Sequence, residues 1–214
     1  MNSTGRAGRM RVERRLATAH HGAELLDRKQ RILADELERL HLNAALTGRV
    51  WLDAAREADV WLARAAALDG RAAIEAAAPL APAMVEVQWG GSMGVAYPED
   101  ARCDLPASTS PGASSALTYA RDCHRTALEA AVTHAAAERA VTLLSAELKA
   151  TRTRLRAVEK RWIPRLENEL EAIRRSLQEL EMEENFRLRW GADAGASQSG
   201  RGRASDAGEG SRPR

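Results

Sequence analysis

The sequence predicts an all-α protein built on a long antiparallel coiled coil of two helices, and three observations lead to this prediction. Ala, Arg, Leu and Glu dominate the 214 residues, whereas aromatic residues make up 4%. Two long segments carry apolar residues at alternating steps of three and four, which is the period of a coiled-coil seam. A segment rich in Pro, Gly and Ser separates them, so the two helices can fold back and bury their seams against each other.

The chain divides into five parts of different composition. Residues 1–9 are a basic lead that we expect to be flexible, and residues 10–78 are the first coiled-coil helix. Residues 79–115 are a small middle segment, and residues 116–190 are the second coiled-coil helix. Residues 191–214 contain no large apolar side chain. They cannot bury enough surface to offset the entropy of ordering, so we predict a disordered C-terminal tail.

The first helical segment shows the clearest apolar stripe, and only Gln30 and Thr47 interrupt it. Its positions are Leu16, Ala19, Ala23, Leu26, Gln30, Leu33, Leu37, Leu40, Ala44, Thr47, Trp51, Ala54, Ala58, Trp61, Ala65 and Leu68. A stripe kept over this many heptads predicts a left-handed supercoil with a partner helix. A helix of about sixty residues extends about 90 Å, so the sequence predicts an elongated rod.

The second helical segment carries the same stripe with one change of phase. Its positions are Val141, Leu144, Leu148, Thr151, Leu155, Val158 and Trp162, followed by Leu166, Leu170, Ile173, Leu177 and Leu180. Two successive steps of four surround Pro164. A proline in a helix interior removes one backbone hydrogen bond, so we expect a kink or local unwinding there. The seam tryptophans Trp51, Trp61 and Trp162 are expected in the core.

The middle segment has the alternation of a short β-hairpin. We predict one strand over Met84 to Trp89, a turn at Gly90 to Ser92, and a return strand over Met93 to Tyr97 that ends at Pro98. An isolated hairpin is marginally stable in water, so it must pack on the helices or on a partner. Packing on the helices is the favoured role of Trp89, and anchoring a partner is the alternative.

Composition and motifs argue against several other classes of protein. The formal net charge of +2 gives no global attraction to nucleic acid or anionic lipid. The N-terminus is polar and basic and lacks the apolar core of a signal peptide, and no stretch approaches the ~18 uncharged apolar residues of a membrane span. The two cysteines, Cys103 and Cys123, lack the spacing of a disulfide framework or metal site and fit a reducing cytoplasm. No phosphate-binding loop and no nucleophile–base set is evident, so we expect no active site, metal or cofactor.

Two charged clusters lie near the ends of the predicted helices. The basic cluster is Arg6, Arg9, Arg11, Arg14 and Arg15. It is a contact with a partner, a frayed helix start or a nucleic-acid patch, and the absence of interleaved aromatic residues disfavours the last. The acidic cluster is Glu179, Glu181, Glu183 and Glu184. Because a helix C-terminus disfavours anions, we expect these glutamates to pair with the basic cluster of the antiparallel neighbour rather than to be only solvated.

The residues at both ends of the helices resemble the D-subunit family of V-type and archaeal-type rotary ATPases. The opening pattern of that family resembles Arg14-Arg15-Leu16, Ala19, Gly22, Leu25-Leu26, Arg28-Lys29 and Arg31. Its C-terminal patterns resemble Glu147-Leu148, Thr151-Arg152, Arg154, Ala157, Glu159, Ile163-Pro164-Arg165-Leu166, Glu181, Glu183-Glu184 and Phe186-Arg187-Leu188-Arg189. Its hairpin resembles Met93-Gly94-Val95 and Tyr97-Pro98. The resemblance extends from about Gly8 to Trp190, with departures at Leu155, Arg156 and Val158.

This resemblance implies a non-catalytic rotor-shaft subunit that transmits torque between ATP synthesis or hydrolysis and the translocation of H⁺ or Na⁺. The implied partners are the catalytic and regulatory nucleotide-binding subunits of a hexamer, a small companion rotor subunit and a socket subunit on the membrane ring. Neither nucleic acid nor membrane insertion is implied, and the expected location is the cytoplasmic side of the membrane. The candidate contact residues are Arg14, Arg15, Trp89, Met93, Tyr97, Glu183, Glu184 and Arg187. The alternative is a free-standing coiled-coil adaptor or a DNA-associated protein.

Overall fold

The computed structural model describes residues 5–79, 81–106 and 114–205, with side chains up to Trp190. Its elements, in chain order, are α1 (Arg6–Ala76), β1 (Met84–Ser92), β2 (Val95–Asp104), α2 (Ser115–Ala157), a π-helix (Val158–Trp162) and α3 (Ile163–Ser205). The predicted class is therefore confirmed, with two long helical segments and a small antiparallel hairpin between them. Among the described residues, no helix combines the length and the apolar composition of a membrane span.

The chain forms two compact units. One contains the start of α1 up to Ala23 together with the chain from Arg156 onward, and the other contains Glu24–Leu155. Each unit has its own hydrophobic core.

In the Glu24–Leu155 unit, α1 packs antiparallel to α2 around an apolar core. The Lys29 ammonium lies 2.9 Å from the Glu147 carboxylate, whereas the Trp61 ring lies 4.5 Å from that of Tyr119. The residue number of each contact rises along α1 while that of its partner falls along α2, so the two helices are antiparallel. The buried cluster between them contains Leu33, Leu40, Ala140, Leu144 and Leu148, together with Tyr97 from the hairpin.

The predicted stripe of α1 is confirmed along almost its whole length. Every position from Leu16 to Ala65 is buried or half-buried, whereas Leu68 is 72% exposed. The prediction is wrong at Leu68 because the helix is interrupted at Gly70, whose φ of 76° and ψ of 168° are not helical. Beyond this break, Ile74 packs against the buried residue Leu117 and its neighbours in a separate cluster.

In the unit formed by the two chain ends, the start of α1 packs antiparallel to α3. Its core contains Val12, Leu166, Leu170 and Ile173, with Leu16, Ala19 and Leu177 packed against it. Helix α1 begins at Arg6, inside the lead that was predicted to be flexible. Because Val12 is already part of the core, the preceding turn is stabilised by packing as well as by local hydrogen bonds. The predicted seam residue Leu180 is exposed, so the α3 seam ends earlier than predicted.

The phase change near Pro164 is a π-helix over Val158–Trp162. The Ile163 N–H donates to the Val158 carbonyl, five residues earlier, which inserts one extra residue into the helical turn. The expected local unwinding is therefore confirmed, but the prediction that Trp162 lies in the core is wrong. The extra residue turns Trp162 outward, where it is 58% exposed, and Ile163 takes the buried position.

The hairpin forms with a different turn from the predicted one. Ser92 pairs with Val95, so the turn consists of Met93 and Gly94, both with positive φ, as a type I′ turn requires. The predicted turn glycines lie inside β1, where strands approach closely. A Cβ on Gly90 would lie 2.6 Å from a Glu99 carboxylate oxygen.

The second strand also continues beyond its predicted end. Pro98 pairs with Trp89, and β2 runs on to Asp104. A β-bulge places Glu99 between the paired residues Pro98 and Asp100. Because the ladder is irregular at the bulge, a proline without an N–H is tolerated there.

The C-terminal tail was predicted to be disordered from Gly191 onward. Helix α3 continues through the backbone of this segment to Ser205, and residues 206–214 lie outside the described residues. A helix is continued by local hydrogen bonds and does not require tertiary burial. Disorder beyond Ser205 stays a prediction.

The ion pair between Lys29 and Glu147 makes the stability of its unit sensitive to acid. The hydrogen bond from the Lys29 ammonium holds the pKa of Glu147 below its ordinary value, and Arg154 lowers it further. A carboxyl group whose pKa is lowered by folding stabilises the folded state above its unfolded pKa of about 4.3, and this contribution is lost as the pH falls through the folded pKa.

We therefore expect Glu147→Gln to lower the melting temperature at pH 7 and to lower it less near pH 3, because the parent carboxyl loses its charge as the pH falls through the folded pKa. Thermal denaturation at both pH values, followed by circular dichroism, measures this difference. Glu171→Gln, at an exposed position of α3, is the control. An equal loss at both pH values would show that the charge of Glu147 is not the source of its contribution.

Candidate partner-binding surfaces

The described residues expose several apolar and charged surfaces. They contain no group of three or more His, Cys, Asp or Glu side chains that could hold a metal ion. The features that remain after folding are exposed apolar side chains on helices whose other outward positions are mostly charged or small. These exposed apolar groups are the candidates for contact with other proteins.

At the paired chain ends, the acidic and basic clusters meet as predicted in one place. The Arg6 guanidinium lies 3.7 Å from the Glu181 carboxylate, across the two helices. Glu183 instead pairs with Arg187 of its own helix at 3.9 Å, and Glu184 is exposed. These pairs are largely solvated, so each adds little to stability and the charges stay available to a partner.

A second ionic group in this unit lies between α1 and α3. Arg9 and Arg174 both approach Glu13, at 2.9 Å and 3.3 Å. The hydrogen bond from Arg9 is the main cause that lowers the pKa of Glu13. This carboxylate therefore stays ionised and links the two helices through Arg174.

A groove in the same unit brings Arg15 close to the tryptophan that the π-helix turns outward. Its lining includes Arg15, Trp162, Arg165 and Glu169. Arg14 and Arg15 are both exposed. An exposed indole and arginine side chains in one groove are a combination that is common at protein interfaces. The predicted contact residue Arg15 is therefore joined by Trp162, whose seam position had predicted burial.

The end of the described part of α3 carries an apolar stripe that was not predicted from the sequence. Met182, Phe186 and Trp190 are spaced by four residues, and each exposes more than half of its side chain. Residues four apart lie on one face of a helix, so the three form a continuous strip, here called the α3 strip. The spacing is visible in the sequence, but the strip alternates with the charged residues that match the family pattern, and only those were predicted as contacts.

The hairpin is held on the helices by Tyr97, which is 4% exposed. Its ring packs into the Leu33–Leu144 core, and its hydroxyl donates a hydrogen bond of 2.6 Å to the Glu36 carboxylate. Arg39 holds the same carboxylate through two further hydrogen bonds, which lower the pKa of Glu36. Burial raises the pKa of Tyr97, so its hydroxyl remains a donor. The predicted contact residue Tyr97 thus lies in the interior of its own unit.

The remaining predicted contact residues of the hairpin are exposed. Trp89 exposes 63% of its surface, so packing on the helices does not account for it and the favoured interpretation of this residue is wrong. Val85, Val87 and Trp89 alternate along β1 and lie on one face. Met93 is exposed in the turn. The hairpin therefore offers a small apolar face beside its anchored residue Tyr97.

A third apolar surface runs along α1 in the Glu24–Leu155 unit. Leu42, Leu46 and Val50 are spaced by four residues and are each more than 60% exposed. They lie on a face of α1 other than its seam and are here called the α1 strip. Long exposed aliphatic side chains in a row are unfavourable in water, and cover by another protein removes that cost.

Comparison with known proteins finds a family that spans nearly all of these surfaces. The family of ATP synthase D subunits matches residues 9–191. The D subunit of the V-type ATP synthase of Anaeromyxobacter dehalogenans strain 2CP-C is 34% identical over 200 residues, which cover 87% of this chain and 93% of that protein. The D subunit of the A-type ATP synthase of Methanosarcina mazei is 28% identical over 187 residues, which cover 83% and 89%. The matched region includes both long helical segments and the hairpin.

Proposed function

Because this chain belongs to the family of ATP synthase D subunits, we propose that it is the central shaft of a V/A-type rotary ATPase and transmits torque within it. The observation that carries the proposal is the extent of the family match, which includes α1, the hairpin, α2 and the described side chains of α3. The described residues form paired helices whose seams are buried within the chain, and their exposed apolar strips are suited to contact with other subunits. We therefore propose a non-catalytic subunit.

A shaft that transmits torque must resist being twisted by it. Paired helices with an apolar seam resist bending and unwinding better than one helix, because each turn is packed against its neighbour. The outward faces are mainly charged and solvated, which favours rotation without adhesion at one angle. These are the physical requirements of an axle that turns inside other subunits.

The surfaces are assigned to partners by the unit on which they lie. We propose that the paired chain ends, with Arg15, Trp162 and the α3 strip, contact the nucleotide-binding subunits of the catalytic hexamer. The α1 strip and the exposed hairpin face contact the small companion rotor subunit and the socket subunit of the membrane ring. The complex couples ATP synthesis or hydrolysis to H⁺ or Na⁺ translocation, and the chain lies at the cytoplasmic, inner side of the membrane.

A single charged residue introduced into either strip is expected to weaken the binding of a different partner. Leu46→Glu, in the α1 strip, should weaken copurification of the companion subunit at least tenfold, because a buried unpaired carboxylate at an interface costs more than about 1.4 kcal/mol. Phe186→Glu, in the α3 strip, should instead weaken retention of the nucleotide-binding subunits. Affinity purification from cells that express the whole complex, followed by quantitative mass spectrometry, measures both.

Ala45→Glu is the matched control for the α1 strip, since it introduces the same charge at an exposed neighbouring position. It should retain all partners, and all three variants should melt like the parent protein. Loss of the same partners from both strip variants, or of none, would contradict the assignment.

A further inference from the structure

The helix pair of the Glu24–Leu155 unit has a stretch in which the seam is made mostly of small side chains. Between Leu40 and Trp61, the α1 stripe contains three alanines, a threonine and one large residue, Trp51. The buried positions on α2 in the same stretch include Ala127, Ala136 and Ala137. A seam of similar small residues fits almost equally well when one helix slides by a heptad, so apolar packing alone specifies the axial register weakly.

One large polar side chain interrupts this alanine seam. The His134 side chain, from α2, is only 15% exposed and stacks on the Trp51 ring of α1, with centroids 5.5 Å apart and planes 22° apart. Its Cε1 lies over Gly48, where a Cβ would be only 3.0 Å away. A glycine between the two helices thus provides the space that the imidazole occupies.

The ring is also oriented by a hydrogen bond. The Thr47 hydroxyl lies 3.3 Å from His134 Nδ1 and 3.0 Å from the Asn43 carbonyl. Because the hydroxyl donates its hydrogen to that carbonyl, its oxygen can accept a hydrogen bond from Nδ1–H. The remaining ring nitrogen, Nε2, faces Glu138 of its own helix at 3.6 Å. Stacking, contact with Gly48 and the Thr47 hydrogen bond therefore hold the imidazole on three sides.

The contacts of His134 can form in the observed axial register of α1 and α2, but not in a register shifted by one heptad. A slide of one heptad would place His134 opposite His41 or Ala55, each of which has a Cβ. Helix α1 has no glycine between Gly22 and Gly70 except Gly48. The slide would also remove the Trp51 stack and the Thr47 hydrogen bond together. A single polar side chain in a coiled-coil seam is known to select register in this way.

We propose that His134 is a positioning residue that fixes the axial register of α1 and α2 by inserting at Gly48. The inference concerns the helix pair itself, and only its consequence for torque transmission rests on the proposed function. A shaft whose two helices can slide past each other would lose torque as internal shear. His134 removes that freedom where the alanine seam allows it most.

The proposal is tested by whether a glycine-to-alanine substitution raises or lowers the melting temperature. In an unobstructed helix this change normally raises stability, and Gly22→Ala, whose new Cβ would have nothing within 4 Å, should raise the melting temperature by about 2–4 °C. Gly48→Ala should lower it in the parent protein, because the imidazole is confined and cannot move away. In a His134→Ala background, the same Gly48→Ala change should raise it. A rise from Gly48→Ala in the parent protein would overturn the proposal.

A distance measurement tests register directly. Spin labels on cysteines introduced at the exposed positions Ala45 and Ala135, with Cys103 and Cys123 replaced by serine, should give one narrow distance distribution in the otherwise unchanged full chain. His134→Ala should broaden it or add a second population, because a slide of one heptad moves one label along the helix axis by about 10 Å relative to the other. An unchanged distribution in that variant would refute the proposal. Failure of the chain to bind ATPase subunits would instead refute the proposed function and leave this result intact.

Discussion

Leu33→Asp is expected to unfold the Glu24–Leu155 unit at room temperature or to leave it only marginally stable. Leu33 is completely buried and lies in one cluster with Leu144 and Leu148. Loss of the leucine packing alone costs about 3–5 kcal/mol, and an unpaired buried carboxylate adds several more. Because the total stability of a domain is about 5–15 kcal/mol, this one substitution removes most of it.

Circular dichroism at 222 nm during thermal denaturation measures the effect. The matched control is Leu42→Asp, which makes the same change in the same helix at a side chain that is mostly exposed. It should change the melting temperature by little, since an exposed carboxylate stays solvated. If Leu33→Asp melted like Leu42→Asp, the seam would be misassigned.

Tyr97→Ala is expected to release the hairpin from the helices. It removes an aromatic ring from the core and also the hydrogen bond to Glu36. Truncation of a buried aromatic side chain costs about 3–5 kcal/mol, which exceeds what an isolated hairpin can supply from its own ladder. Amide hydrogen exchange of β1 and β2 should therefore lose its protection, while that of the α1–α2 pair falls less.

Two further variants separate the contributions of the ring and the hydroxyl. Tyr97→Phe keeps the ring and should cost only about 0.5–1.5 kcal/mol, because Arg39 still satisfies the Glu36 carboxylate. Trp89→Ala, in the same hairpin, should leave the exchange rates nearly unchanged, since Trp89 is mostly exposed. A hairpin that stays protected in Tyr97→Ala would show that other contacts anchor it.

The seam could be predicted from the sequence because a heptad pattern records directly which side chains are buried. The period located the α1 stripe correctly up to Ala65 and located the phase change beside Pro164. It could not tell where the extra residue is inserted, since Trp162 and Ile163 are adjacent and both apolar. The hydrogen bond from Ile163 to Val158 decides that choice, and it is a property of the folded backbone.

The hairpin shows a second limit of the pattern. Glycines favour a turn, but they also permit close approach of two strands, and the sequence does not distinguish these roles. In the fold, Gly90 and Gly91 face β2 closely, and the positive φ angles fall on Met93 and Gly94. A positive φ is unfavourable for methionine. The composition therefore favoured a turn at Gly90 to Ser92 over a turn at Met93 and Gly94.

The exposed apolar strips were not predicted from the sequence. Charged residues such as Arg15 and Glu183 were chosen because they match the family pattern, yet the α1 and α3 strips consist of apolar residues. An apolar residue outside a seam is recognised as exposed only after the partner helix is in place. The role of His134 was likewise invisible, since the three residues that hold its ring in place all lie on another helix, 83–87 residues away in sequence.

Native mass spectrometry of the gently purified, tagged protein tests most directly whether this chain is the shaft of a rotary ATPase. The predicted result is a complex that contains one copy of this chain together with a hexamer of two alternating nucleotide-binding subunits and a small companion subunit. Detection of this chain only by itself, as a homo-oligomer or bound to nucleic acid would contradict the claim.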